Sequence, residues 1–314
     1  AHLIIVNHAL LLADIAVQNR ALPEYKHLII DEAHHMEKAT TDGLSFDTDR
    51  ISMQRLLREM GKVTQRGRVT GLLAELLSRC QKANLPGEIM QKMELFVGKV
   101  GMAADRASRL LDAFFKCLDE FIAEHTEGRR SQYTLRLRLT SGLRVQPAWE
   151  TVEIAWDDVN VPLKAAVDGL ERLAGSLEDL DEFEIPDAEE LEAQMLGGAR
   201  RLGEIAGQVS QMITQPSPSL IYWLEVSPSG NNLRLHAAPL HVGPLMEEHL
   251  FHKKESVVLT SATLRTGGSF DFLRERLHAW DADELAVGSP FDYKSSTLVY
   301  LIDDIPEPGQ RGYQ

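Results

Sequence analysis

Leu28-Ile29-Ile30-Asp31-Glu32-Ala33-His34-His35 is the stretch whose reading decides the fold. Three aliphatic residues run straight into two adjacent carboxylates, and a histidine follows two positions after the second. An unbroken run of branched aliphatics is the pattern of a parallel-sheet strand, whose two faces are both covered. In open α/β sheets the ligand lies beyond the carboxyl ends of such strands. The spacing therefore predicts an α/β unit with Asp31 and Glu32 at its ligand-binding edge. A strand end that merely carries solvated acids is the plain alternative.

The residue types suit phosphoryl transfer. That chemistry needs a cation to neutralise charge on the β- and γ-phosphates and a group to orient the attacking water. Mg²⁺ takes hard oxygen ligands and keeps several waters, so Asp31 alone suffices to hold it through water. Glu32, the next residue, is placed to act as base or water positioner. Imidazole is a poor partner for Mg²⁺, which leaves His34 to relay the state of the phosphate site to a neighbouring strand. Such a strand occurs far downstream, as Ser256-Val257-Val258-Leu259-Thr260-Ser261-Ala262-Thr263-Leu264. Its apolar run closes in small hydroxyl residues, and Ser261 and Thr263 can donate and accept hydrogen bonds within reach of His34. Alone, Ser-Ala-Thr reads as an ordinary strand-to-loop turn; paired with the upstream carboxylates it reads as a coupling element.

At this point the chain resembles a family, the DinG/XPD-type superfamily 2 DNA helicases, and more closely their bacterial DinG-like branch. Four stretches carry the resemblance: His2 to Leu12, the Asp-Glu-Ala-His box at 31–34, Leu235 to Leu245 leading into the Ser-Ala-Thr strand, and Gly288-Ser289-Pro290-Phe291-Asp292-Tyr293 followed by Ile305-Pro306-Glu307-Pro308. The resemblance implies ATP and Mg²⁺ as cofactors and single-stranded DNA as partner, with 5′-to-3′ translocation. It implies Glu32, Asp31 and His34 as catalytic residues, Ser261 and Thr263 as coupling residues, and Asn7 and His8 as nucleic-acid contacts. It also implies a RecA-like motor domain interrupted by an arch-type insertion, the two bracketing a pore for the strand.

Other family parts are missing. No Gly-x-x-x-x-Gly-Lys-Ser/Thr loop occurs, and Gly61-Lys62 and Gly98-Lys99 are each followed by Val inside helical patterns. The resemblance places that loop before residue 1 and a second motor domain after Gln314. The expectation is a fragment of a larger helicase, inactive as an ATPase by itself. The rival expectation is a non-catalytic DNA-binding or scaffolding clamp. Many relatives also carry an iron–sulfur cluster, which usually needs four thiolates. Cys80 and Cys117 are the only cysteines, so a cluster in the parent protein is not supported within this chain. Two cysteines and no signal peptide fit a reducing cytoplasm.

Composition adds bounds. With 314 residues, 44% hydrophobic and 25% charged, the chain has room for two domains of ordinary composition. No apolar run approaches the ~20 residues of a membrane span. A net charge of −14 is awkward for phosphate contacts, but the charge is uneven. Residues 50–79 carry seven bases against two acids. Residues 129–144 carry Arg129, Arg130, Arg136, Arg138 and Arg144 with no acid, while acids concentrate between Glu178 and Glu192.

The middle reads as a helical insertion. Apolar residues recur from Ile89 through Met93, Phe96, Val100, Ala103, Ala107, Leu110, Phe114, Cys117 and Phe121 in alternating steps of four and three. That heptad seam predicts one long helix over 88–125, packed antiparallel on 51–82 and 187–214. Gln132 to Thr140 then alternates leucines with polar residues, the pattern of a half-buried strand, and a partner strand is expected around 149–156. Arg136 and Arg138 lie on its polar face, flanked by Arg130. Basic grooves are how single-strand channels hold the backbone, although charge runs also mark plain solvated faces.

The tail returns to α/β character. A hairpin is expected from 220–226 and 233–237, with Tyr222 and Trp223 as packing residues. A helix over 243–252, another over 270–279 and a last strand over 297–302 follow. The expected division is 1–45 and 216–304 as parts of the first motor domain, 46–215 as the arch-type insertion with a small antiparallel sheet, and 305–314 as a linker.

Overall fold

The computed structural model describes residues 3–16, 21–64, 67–126, 134–228, 232–301 and 313. The elements in chain order begin with α1 (His8–Ala16), β1 (His27–Ile30), α2 (Met36–Gly43), β2 (Phe46–Asp49), α3 (Arg50–Met60) and α4 (Gly71–Lys82). Next come α5 (Gly87–His125), β3 (Leu135–Arg138), α6 (Ser141–Arg144), α7 (Pro147–Glu178) and α8 (Ala188–Ile213). The chain continues through β4 (Leu220–Val226), β5 (Leu233–Pro239), α9 (Gly243–His249), β6 (Ser256–Leu259), α10 (Asp271–Leu277) and α11 (Tyr293–Ser296).

The 39-residue α5 bears out the long helix and its four-three period, but the seam is shifted at every second position. Val97, Ala104, Leu111 and Leu118 are buried with Met93, Val100, Ala107, Phe114 and Phe121, while Phe96, Ala103, Leu110 and Cys117 are half-buried. The main partner of α5 differs from the expected one. Residues 149–156 are not a strand; they open the 32-residue α7, which runs antiparallel along α5. Phe114 meets Trp156 with ring centroids 5.1 Å apart, and Phe121 meets Trp149 at 5.1 Å. The physical reason is visible in the buried positions. Trp149, Val152, Trp156, Val159, Leu163, Ala166, Leu170, Leu173 and Leu177 repeat in steps of three and four, so both seams share one period and interlock. Pro147 opens the helix at a position where its missing N–H costs nothing. The indole N–H groups are both used: Trp149 donates to the Ile213 carbonyl at 3.3 Å and Trp156 to Ser210 Oγ at 3.0 Å. α8 closes this bundle on α7, with α3 and α4 against α5.

The antiparallel sheet has the order β2-β5-β4-β3. β3 therefore pairs with the hairpin strand β4, with Leu137 opposite Leu224, rather than with a strand inside the insertion. Alternation gives the sheet two unlike faces. Tyr222, Leu224, Leu233, Leu235 and Ala237 join the core of the helical bundle. Arg136, Arg138, Trp223, Glu225, Arg234 and His236 occupy the opposite face, as their cross-strand pairs require. Trp223 stacks flat on His236, centroids 4.9 Å apart and 2° from parallel.

The parallel sheet holds β1 and β6 alone, in register from His27–Ser256 to Ile30–Leu259. Its inner side, with Leu28, Ile30, Val257 and Leu259, packs with Leu11, Leu12 and Met36 and with Met246 and Leu250 into a second core. On its outer side Ile29 is 72% exposed and Val258 51%. The expectation of a strand covered on both faces thus holds on one face only. The chain from 297 to 301 is not a strand and its side chains are exposed. It finds no neighbouring strand among the described residues. Ile302 and most of the expected linker lie outside them.

Candidate active site

Two strand ends make the site. β1 and β6 remain paired one step past their last residues, since the Thr260 amide donates to the Ile30 carbonyl at 2.9 Å and the Ala33 amide to the Thr260 carbonyl at 3.0 Å. Between these bonds the chain turns through Glu32, whose backbone is left-handed at φ 50° and ψ 41°. For a residue with a Cβ that conformation costs on the order of 1 kcal/mol. Neighbours hold it in place. Ala33 and Met36 are fully buried, the Asp31 carboxylate accepts from the Glu32 amide at 3.0 Å, and a one-turn 3₁₀ segment, Ala33–His35, follows at once.

The turn aims Glu32 at the other strand. Ser261 Oγ donates to Glu32 Oε2 at 2.9 Å, and His34 Nδ1 lies 2.7 Å from the same hydroxyl and 3.1 Å from the same carboxylate oxygen. The Thr263 amide donates to Ser261 Oγ at 3.3 Å, and its own hydroxyl lies 3.5 Å away. A serine hydroxyl has one proton and two lone pairs. With its proton on Glu32, Ser261 accepts from both Thr263 and His34, which puts the His34 proton on Nδ1. The structure thus brings together Glu32, His34, Ser261 and Thr263, with Glu32 and Ser261 229 positions apart in the chain. The Glu32 side chain stays 57% exposed and open to a ligand, while His34 is 31% exposed.

Asp31 sits beside this junction. One oxygen is occupied by the Glu32 amide, leaving the other free. The described residues contain no cluster of three or more His, Cys, Asp or Glu that would hold a metal. A lone carboxylate does not fit a cation caged by protein, but it fits Mg²⁺ held through water and shared with phosphate oxygens. The two cysteines do not suit a cluster. Cys80 is buried in α4 and Cys117 half-buried in α5, and burial pushes both thiols above their ordinary range, away from the thiolate a metal needs.

The nucleic-acid candidates fall in three places. Asn7 caps α1, its Oδ1 accepting from the Leu10 amide at 2.8 Å. His8 Nε2 donates to the Asp31 carbonyl at 2.9 Å, which ties α1 to the box. That contact spans 23 residues and has no local sequence signal. Arg136 and Arg138 are exposed on β3. Arg136 is paired with Glu225 at 2.7 Å, whereas Arg138 has no ion-pair partner among the described residues. Arg130 and Arg129 lie outside the described residues. Arg144 leaves the basic group altogether. It binds the Met212 carbonyl closely and the Ile213 carbonyl at 3.3 Å, capping the end of α8 between the rings of Trp149 and Tyr222. Burial draws its guanidinium below the ordinary arginine range. A cation at a helix C-terminus is stabilising, so Arg144, one of the basic run at 129–144, serves the end of α8 instead.

No family model matches the chain. Curated relatives do. A protein of Bacillus subtilis named 3′-5′ exonuclease DinG is 28% identical over 98% of this chain and 32% of its own length. One of Photobacterium profundum, named ATP-dependent DNA helicase DinG, is 24% identical over 96% of this chain and 41% of its own length. One of Mycobacterium tuberculosis, named ATP-dependent helicase DinG, is 36% identical over 35% of this chain and 18% of its own length. The chain therefore spans roughly a third of the length of the relatives it matches end to end. Over nearly its whole length the chain is similar to proteins named DinG.

Proposed function

We propose that the chain is part of an ATP-dependent DNA helicase that couples ATP hydrolysis to 5′-to-3′ translocation on single-stranded DNA in the cytoplasm. The observation that carries the reading is the shared contact of Glu32, His34 and Ser261 at the ends of two parallel strands. Glu32 holds and orients the attacking water, taking up its proton. Asp31 is the residue that would hold Mg²⁺ through water, and the bound ion would neutralise charge on the β- and γ-phosphates. Ser261 senses Glu32: once the carboxylate turns to water or phosphate, the hydroxyl loses its acceptor. His34 and Thr263 pass that change to the β6 end. His8 keeps the Asp31 backbone in register, and Asn7 holds the start of α1 beside it.

The 314 residues by themselves contain no phosphate-gripping loop, and we expect no useful ATP hydrolysis from them alone. Residues 1–45 and 216–304 belong to the first motor domain and 46–215 to an arch-type insertion seated on the 220–239 hairpin, with 305–314 as linker. Arg138, then Arg136 and Arg130, contact the DNA backbone. The test is Glu32→Gln in the intact protein, read as DNA-stimulated ATPase. A loss of about 10²-fold or more supports the assignment; undiminished turnover refutes it and favours a non-catalytic clamp.

A further inference from the structure

The groove between α5 and α7 carries charges that the motor chemistry does not use. A cavity of about 240 Å³ opens there, with Lys99 on one wall and Arg172 on the other. Val100 and Gly169 lie beneath, Phe96 stands beside Lys99, and Asp168 is the lining carboxylate. Gly169 lets the helices approach: a Cβ there would lie 2.4 Å from Val100 Cγ2.

Lys99 and Arg106 stand apart from the other bases of α5. Other bases on α5 are paired along the helix, Lys92 with Glu88, Arg109 with Asp105 and Lys116 with Glu120. Lys99 has Leu95 and Ala103 at the equivalent positions, and Arg106, one heptad on, has Met102 and Leu110. Neither of these, nor Arg172, has an ion-pair partner among the described residues; even Asp168, four positions before Arg172, does not engage it. Lys99 and Arg172 line one cleft with Asp168 as its single carboxylate, so the cleft carries a net positive charge that an anion seated there would neutralise.

We propose that this cleft grips the phosphate backbone of a single nucleic-acid strand, Lys99 and Arg172 holding adjacent phosphates and Arg106 extending the track by about 10.5 Å along α5. The amides in the middle of both helices are already spent on helix bonds, so only side-chain cations can bind. That favours a sequence-independent polyanion over a nucleotide, which needs a concave site with directed donors. Phe96, half-buried beside Lys99, is the aromatic residue lining the cleft, and aromatic side chains are what single-strand grooves use to stack bases. The proposal rests on the reading of the chain as a DNA-handling protein, but not on the Glu32 junction.

The test is Lys99→Glu with Arg172→Glu in the intact protein, compared with Arg200→Glu and Arg201→Glu on α8, which change the charge equally away from the cleft. Affinity for an oligothymidylate is measured across salt concentrations. The cleft variant should bind several-fold more weakly, with a slope of log affinity against log salt shallower by about 1.4, and the α8 variant should match the parent. Lys99→Gln with Arg172→Gln, which preserves the cleft's shape, should move both readings the same way. Unchanged affinity and slope in either folded cleft variant overturn the proposal. So does inorganic phosphate binding that the variants abolish while oligothymidylate affinity stays the same, since the cleft would then be a small-anion site. Weakened binding in the cleft variants alongside an unaffected Glu32→Gln ATPase would sink the motor assignment and leave the cleft standing.

Discussion

The helical bundle and the β1–β6 layer are built from the same aliphatic residue types and reach opposite ends. The bundle's core is continuous from Met53 to Ala237 and takes in five helices and the inner face of the antiparallel sheet. The β1–β6 layer musters ten buried residues among those described and leaves Ile29 and Val258 uncovered. Two strands with one covered face are marginal by themselves. Yet the strained Glu32 turn and the only shared carboxylate–imidazole–hydroxyl contact among the described residues lie in the thin layer. Burial is concentrated in one region and the candidate site lies in the other, the arrangement expected where functional elements come from the low-stability end of a structure.

The largest effect that could break this comparison is Trp156→Ala. Trp156 is fully buried and hydrogen-bonded to Ser210, so its loss should cost about 3–5 kcal/mol in denaturant unfolding. Ile29→Ala, on the bare strand face, should stay within ~0.5 kcal/mol. Similar losses at both sites would erase the distinction. Next is a pair of glycines on α7. Gly169→Ala forces a Cβ into Val100, a short side chain with no free end to swing away. Overpacking of about 1–3 kcal/mol should outweigh the roughly 1 kcal/mol that alanine gains in helix propensity. Gly175→Ala meets nothing within 4 Å and should stabilise instead. Opposite signs in one helix locate the tight part of the seam.

A smaller effect sits where bundle and sheet join. Asp49 caps α3 by accepting from the Ser52 amide at 2.7 Å. Burial alone would raise its carboxyl, but the bonds from Ser52 and Asn232 and the charge of Arg234 outweigh it and hold the group below its usual range. Between an unfolded value of ~3.9 and the depressed folded one, the unfolded chain binds more protons. The contribution is therefore complete above about pH 4 and lost as pH falls through the folded value. Asp49→Ala should cost about 1 kcal/mol at neutral pH and flatten the acid limb of a stability–pH curve. The smallest effect is at His236, which burial holds below the ordinary histidine range despite Glu225. Here too the folded state binds fewer protons, so stability is present above ~pH 6.5 and declines as pH falls through the folded value. His236→Gln should remove that decline; an unchanged curve would show that His236 does not titrate with unfolding.

Sequence legibility followed the same division. The Leu28–Asp31 run, the Ser-Ala-Thr strand end and the α5 heptads were readable because each has a local period or a compact motif. The His34–Ser261 contact was anticipated from hydroxyl and imidazole chemistry at two strand ends. Residues 149–156 read as a strand because Trp149, Val152, Ile154 and Trp156 are of types that also favour strands. The role of Arg144 was hidden because nothing near it in sequence announces the α8 carbonyls it caps. The bond from His8 to Asp31 and the open face of β1 depend on tertiary packing, which local pattern does not report.

The central claim is that Ser261 joins the chemistry of one strand to the movement of the other. Its most direct test is the number of nucleotides translocated per ATP hydrolysed by the intact protein carrying Ser261→Ala. The account predicts that ATP turnover stays within a few-fold of the parent while the ratio falls severalfold, because Glu32 keeps its water but loses its contact with β6. An unchanged ratio would contradict it and reduce the junction to a structural hydrogen bond.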